Sequence, residues 1–218
     1  MNLILIGAPA AGKGSVAEKL VEDYNLVSIS SGALFRAEIA SGSELGLKLQ
    51  KIIKSGSLVP DDLTFEFVKE RLEKEDCKIK GFILDGYPRS IRQAQILDEY
   101  LSSINKSIDK VIYIDVENEK VLERISGRRL CRSCGAIYNI NTKPSTNGNR
   151  CDKCNGELYQ RDEDNETSVL RRISSFQNDT FPIIGYYQER GLVYKVDGNH
   201  DFDYTLKEVH KVLDKENK

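Results

Sequence analysis

The sequence predicts an α/β fold with a doubly wound parallel sheet of five strands and helices on both faces. Three observations predict it. Apolar runs too short for helices recur along the chain, helical patterns separate them, and the first run enters a glycine-rich turn just before a helix. At 218 residues the chain is long enough for one full α/β domain with inserted lobes. Net charge is −2 with 30% charged residues, so the overall balance gives no general affinity for nucleic acid or an anionic membrane. No stretch has the apolar length of a membrane span, and the amino terminus enters a core strand without the flank and cleavage site of a signal peptide, so the expectation is a cytoplasmic protein.

The first strand is Asn2 to Ile6, and it leads into Gly7-Ala8-Pro9-Ala10-Ala11-Gly12-Lys13-Gly14-Ser15, a G-x-x-x-x-G-K motif. Glycines let the backbone turn so that successive N–H groups face one anion, Lys13 adds a mobile positive charge, and the following helix adds its positive dipole end. Nucleoside triphosphate is the natural guest. A Gly/Ala-rich turn that binds nothing is the alternative, and the amphipathic pattern Val16, Ala17, Leu20, Val21, Tyr24 speaks against it. Gly14 stands where many such loops carry Ser or Thr; the hydroxyl arrives one residue later, at Ser15, so the magnesium ligand of the common loop is missing or displaced.

A second strand at 26–29 precedes Ser30-Ser31-Gly32, a helix start. Arg36 near that start opposes the helix dipole, which points to an anion outside the protein or to pairing with Glu38. A helix at 45–55 stops at Gly56, and Pro60 with Asp61 and Asp62 opens another over 63–75; these form a small lobe able to close over a ligand. The third strand, 81–85, ends in Asp85 and continues into Gly86-Tyr87-Pro88-Arg89. Ligands collect at the carboxyl ends of such strands, so Asp85 is a candidate for organising Mg²⁺ through its waters, or else a plain turn former. A helix at 90–103 carries Gln93 on its first turn, a fourth strand follows at 110–116, and a helix runs from 119 to 129. After an irregular stretch come a long helix at 166–187 that Pro182 should kink or divide, a fifth strand at 192–196, and a closing helix at 204–213.

The irregular stretch holds Cys131-x-x-Cys134 and Cys151-x-x-Cys154, while Cys77, the fifth cysteine, stands alone. Two C-x-x-C knuckles at this distance match Cys₄ zinc spacing, with redox-active or unpaired cysteines as the alternative. Four sulfur ligands leave no open position, so this zinc is structural and holds together a β lobe too small to bury a core. Arg132, Lys143, Arg150 and Lys153 lend only modest support to a nucleic-acid reading of the lobe.

Arg36, Arg89, Arg124, Arg128, Arg161 and Arg172 fall at strand ends, at lobe junctions or on the helix after the knuckles. Phosphoryl transfer needs donor and acceptor in line and positive charge on the equatorial oxygens. A hydrolase would need a placed base, whereas His200 and His210 both lie in the C-terminal segment. The pattern favours transfer between two bound nucleotides over a slow nucleotide-dependent switch.

Taken together, G-A-P-A-A-G-K-G (7–14), S-G-A-L-F-R (31–36), G-S-L-V-P-D (56–61), G-F-I-L-D-G-Y-P-R (81–89) with Gln93, G-R-R-L-C-x-x-C-G-x-I-Y (127–138) and C-D-K-C-N-G-E-L-Y-Q-R-D-E-D (151–164) resemble the adenylate kinase family in its long, zinc-containing form, over essentially the whole chain. The resemblance implies a P-loop NTPase core (1–29, 60–126 and 165–218), an AMP-binding lobe (30–59) and a zinc lid (127–164). It implies a monomer that transfers phosphate reversibly from Mg·ATP to AMP, giving two ADP, for adenine nucleotide homeostasis, with no nucleic acid or membrane partner.

By the same resemblance, Ala10, Ala11, Gly12, Lys13, Gly14 and Ser15 hold the ATP phosphates. Arg124 lies along the adenine, Arg128 sits on the phosphates, Ile137 and Tyr138 are lid contacts, and His200 offers a backbone group to the base. Ser31, Arg36, Ser57, Leu58, Val59, Gly86, Tyr87, Pro88, Arg89 and Gln93 hold AMP, while Arg161 and Arg172 bridge the transferring group. Lys13, Asp85, Arg89, Arg128, Arg161 and Arg172 form the catalytic set, and Cys131, Cys134, Cys151 and Cys154 match the zinc ligands. Three residues depart from the pattern: Ala10 replaces glycine, Ser31 replaces threonine, and Ala33 replaces aspartate, which leaves Asp85 as the sole expected anchor of the magnesium water shell.

Overall fold

The computed structural model describes residues 1–214; positions 215–218, the end of the expected core segment, lie outside the described residues. Its strands are β1 (Asn2–Ile6), β2 (Val27–Ser30), β3 (Phe82–Asp85), β4 (Lys110–Asp115), β5 (Arg128–Cys131), β6 (Ile137–Asn139), β7 (Leu158–Tyr159) and β8 (Val193–Asp197). Its helices are α1 (Lys13–Tyr24), α2 (Ser31–Ala40), α3 (Glu44–Lys54), α4 (Asp61–Leu72), α5 (Glu75–Lys80), α6 (Ile91–Ser103), α7 (Asn118–Gly127), α8 (Glu166–Ser175), α9 (Pro182–Gln188) and α10 (Phe202–Asp214).

The five expected strands form one parallel sheet in the order β2-β3-β1-β4-β8, the doubly wound arrangement of P-loop NTPases. β1 lies at its centre, with Leu3 beside Ile83 on one neighbour and beside Lys110 on the other. Side chains alternate across a strand, so β1 serves two cores. Leu3 and Leu5 pack with Val16, Leu20, Ile112 and Val209, and Ile4 and Ile6 with Leu84, Leu97, Val111 and Ile183. Burial on both faces is why these strands read as continuous apolar runs.

Two smaller assemblies stand at the carboxyl ends of the strands. Phe35, Leu49 and Val59 make a separate apolar cluster around α2 and α3. β5, β6 and β7 form an antiparallel sheet in the order β6-β5-β7, where Cys131, Ala136, Tyr138 and Cys151 make a small buried cluster of their own.

Two elements differ from expectation, and the expected division of the long helix takes a specific form. The helix expected over 119–129 ends at Gly127, and Arg128 and Arg129 open β5; the carbonyl of Gly127 accepts from Ile140 N (2.9 Å), and a Cβ there would lie 2.6 Å from Asn139 Oδ1. Helix α5 was not expected, because its two apolar residues, Cys77 and Ile79, stand two apart, which is no helical period, and only Cys77 is buried. The long helix is divided by a π-helical turn at Phe176–Thr180, in which Phe181 N donates to Phe176 O (2.7 Å) before Pro182 opens α9. The wider turn accommodates a ring that cannot donate to the ladder.

Candidate active site

The turn after β1 meets the helix it feeds with no side-chain cap on that helix, so its first amides stay available to an anion. Gly12 (φ 95°) and Ala10 (φ 57°) both take left-handed conformations. The methyl of Ala10 is thus held where glycine is at ease and an L-residue is strained. Lys13 Nζ donates to Gly7 O (2.8 Å) and Ala8 O (3.0 Å), folded back on its own loop. Burial lowers its pKa to about 8, against the pull of Asp85. A Cβ on Gly14 would lie 3.2 Å from Ile137 Cδ1 and 3.7 Å from Asp85 Oδ2. Glycine there lets the small sheet rest on the loop, and Ser15 carries the hydroxyl along the same cleft.

That cleft, about 1120 Å³, runs between the loop, the α2–α3 lobe and the small sheet. Arg128 donates Nε to Asp164 Oδ2 (2.9 Å) and a second N–H to Oδ1, and Arg172 Nη1 reaches Oδ1 at 3.3 Å. The Asp164 side chain is fully buried. Arg161 stands 3.9 Å from Glu163, and its Nε is buried with no hydrogen-bond partner among the described residues. Burial first, then Arg128 and Arg36, lower the Arg161 pKa to about 9; burial and Arg128 bring Arg172 to about 10. Burial also lowers Arg36 and Arg89. Arg36 is not paired with Glu38, which accepts from Ser43 instead; Glu163 is the strongest charge drawing it. Lys13, Arg36, Arg89, Arg128, Arg161 and Arg172 thus outnumber Asp85, Glu163 and Asp164 by three in a desolvated space, which is an anion site. Asp164 was missed in the sequence, although the run Arg161-Asp162-Glu163-Asp164 beside two expected arginines was a signal.

At the far end of the cleft, Ser31 Oγ donates to Gly86 O (2.6 Å), as does Arg89 Nε (2.8 Å). Gly86 has φ 75°, and a Cβ there would lie 2.9 Å from Arg89 Nη2, so only glycine fits. Ser57, Leu58, Val59 and Gln93 line the same end. Tyr87 and Pro88 do not. The Tyr87 side chain is buried in the core with its hydroxyl donating to Gln93 O (3.1 Å), and Pro88, after a cis Tyr87–Pro88 bond, lines a smaller neighbouring cavity. Ala33 is exposed on α2, outside the cleft.

At the near end, Arg124 Nη2 donates to Gly198 O (2.8 Å) and His200 O (3.1 Å), and Asn139 Nδ2 holds the Arg124 carbonyl (3.0 Å). Ile137 faces the phosphate loop. Tyr138 lines the cleft too, but its hydroxyl turns away to Cys151 Sγ (3.4 Å) and accepts from Asp152 N (2.9 Å), so its backbone is what it can offer a ligand. Lys153 pairs with Glu18 of α1, and Lys54 with Asp162 (3.5 Å), so charge pairs tie the small sheet to both sides of the cleft.

The sulfurs of Cys131, Cys134, Cys151 and Cys154 lie within 4.8 Å of one another. Backbone amides of Ser133 and Cys134 point at Cys131, and those of Lys153 and Cys154 at Cys151. Close sulfurs fed by backbone donors suit thiolates around one tetrahedral ion, and the set fits zinc. Cys77 is buried elsewhere, 3.0 Å from Arg71 Nη1.

Comparison with known proteins agrees with this geometry. The adenylate kinase family profile matches residues 5–192. The chain is 48% identical over 213 residues to the adenylate kinase of Thermosipho africanus (strain TCF52B), covering 98% of this chain and 99% of that one. It is 47% identical to the adenylate kinase of Archaeoglobus fulgidus, with 99% of each chain covered, and 44% identical to that of Geobacillus sp. (strain WCH70), with 98% of each.

Proposed function

The chain belongs to the adenylate kinase family, and from that premise we propose how its cleft carries out phosphoryl transfer from Mg·ATP to AMP. The observation that carries the reading is the excess of buried positive charge between the phosphate loop and the Ser31–Gln93 end. One space holds room for two nucleotides and unmatched charge where their phosphates would meet.

Ala10 to Ser15 cradle the donor phosphates, with Lys13 leaving its loop carbonyls for the β/γ region. Arg124 and the 198–200 backbone frame the donor base. Ser31, Arg36, the 57–59 segment, Gly86, Arg89 and Gln93 receive AMP. Arg128, Arg161 and Arg172 meet the equatorial oxygens of the transferring group, so that an AMP phosphate oxygen attacks the γ-phosphorus as the bond to the ADP oxygen breaks. No protein group need take up a proton. Asp85 is the carboxylate at hand to orient the waters of a magnesium ion, which would arrive with ATP and would offset phosphate charge. Zinc in the Cys131, Cys134, Cys151, Cys154 set supplies structure, having no open position.

We divide the chain into a core (1–29, 60–126, 165–218), an AMP lobe (30–59) and a zinc lid (127–164) that close to exclude water. Separate apolar clusters in the two smaller parts support this division. No helix among the described residues is long and apolar enough to cross a membrane. We take the compartment to be the reducing cytoplasm, where a Cys₄ group serves a metal, and the working unit to be a monomer.

A coupled assay with ATP and each of AMP, UMP, CMP and GMP tests the reading. Two ADP per AMP consumed are expected, with negligible ATP loss when AMP is omitted. ATP consumption that needs no second nucleotide would favour a hydrolytic switch.

A further inference from the structure

We propose that Asp61 is a positioning residue for acceptor specificity: by fixing the Gln93 amide it makes the pocket select a 6-amino purine over a 6-oxo purine. The inference rests on the reading that AMP occupies the Ser31–Gln93 end.

Gln93 is 1% exposed, so its hydrogen bonds can be counted. Arg89 N donates to Oε1 (2.7 Å), and Nε2 donates to Asp61 Oδ1 (2.8 Å). The amide cannot turn over without setting N–H against N–H at one end and oxygen against carboxylate at the other. Asp61 is itself held, because Oδ2 accepts from Ser90 Oγ (3.0 Å), which in turn caps Gln93 N (3.1 Å). A carboxamide has two acceptor positions and two N–H groups, so one of each is left over.

Adenine presents an N6–H donor beside the N1 acceptor, which matches that remainder. Hypoxanthine and guanine present O6 as acceptor beside N1–H as donor, which is the reverse. Ser31, also 1% exposed, gives the same sense independently: its proton goes to Gly86 O (2.6 Å), so its oxygen can only accept. A 6-oxo base would leave buried polar groups facing their own kind, the most discriminating kind of mismatch. Cytosine carries the same donor–acceptor sense on a smaller ring, so pocket size separates it, not this amide.

Asp61 also opens α4, where an acidic side chain favours the helix, so the test must separate positioning from folding. The measurement is kcat and KM for AMP and IMP, which differ only at this base edge, with KM for ATP, in wild type, Asp61→Ala and the isosteric Asp61→Asn. In Asp61→Ala, KM for AMP should rise about tenfold or more and the AMP-over-IMP preference in kcat/KM should fall by a similar factor, with KM for ATP unchanged. Asp61→Asn keeps one acceptor oxygen and should restore most of the preference. The inference is overturned if Asp61→Ala keeps the AMP/IMP ratio within twofold of wild type, or if KM for ATP rises in step with KM for AMP. A wild-type enzyme that does not turn over AMP at all would instead remove the reading beneath it.

Discussion

Replacing Asp164 by Asn tests whether the arginine cluster depends on its own carboxylate. The side chain is fully buried and accepts from Arg128 at two oxygens and from Arg172 at 3.3 Å, while Arg161 has only Glu163 at 3.9 Å. Asn keeps the shape and one acceptor but removes the charge, leaving three desolvated guanidinium groups facing one another. Removing one partner of a buried pair costs about 3–5 kcal/mol, and since an acceptor survives we take about 3 kcal/mol. For a chain of this length that is a fall of about 7 °C in Tm by calorimetry. Nucleotide phosphates bring back negative charge, so a saturating non-hydrolysable ATP analogue should raise the Tm of the variant more than that of wild type. A fall below about 2 °C, or equal gains with the analogue, would show that Asp164 does not offset the arginines.

The Lys13 pKa of about 8 should be raised by bound phosphate, so at pH 8.5 the free protein holds fewer protons at Lys13 than the complex. Binding then takes up a fraction of a proton, and affinity falls as pH rises through the free-protein pKa; calorimetry in buffers of different ionisation enthalpy reads this, and zero uptake refutes it. Cys151→Ser should lower Tm far more than kcat at 25 °C, because the small sheet has only a handful of buried residues besides the metal set. Equal losses in both would contradict a structural zinc. Ala10→Gly should relieve the left-handed strain at φ 57° and stabilise the protein by about 0.5–1 kcal/mol after the gain in chain entropy is set against it, read as a Tm rise of about 1–3 °C.

Much of this architecture was legible because burial on both faces writes itself into the chain. Leu3 to Ile6 and Val111 to Ile114 are apolar without alternation, and the knuckles carry their spacing in plain sight. What stayed hidden depends on partners remote in sequence. Asp61 looked like a helix opener until Gln93, 32 residues on, was seen to donate to it. Asp164 was only the last residue of the 151–164 motif until Arg128 and Arg172 converged on it. Tyr87 sits in a motif full of cleft residues, yet its neighbours Gly86 and Arg89 face the site while its ring fills the core. The division of the helix before Pro182 was expected from the missing N–H, but the width of the turn depends on where the Phe176 carbonyl finds a donor.

The central place of β1 has a consequence for synthesis. Asn2–Ile6 leaves the ribosome well before its sheet neighbours, Phe82–Asp85 on one side and Lys110–Asp115 on the other. At about 5–20 residues per second, the first strand waits roughly 5–20 s before the second of these exists. Until Phe82–Asp85 emerges this strand, four of whose five residues are Leu or Ile, has no sheet neighbour, and until Lys110–Asp115 follows it has only one, so the phosphate loop it anchors is without a complete frame. The phosphate-loop motif, made before both of these strands, therefore takes shape only after them, and truncated chains ending before residue 115 should aggregate through this strand or engage holdase chaperones in preference to folding.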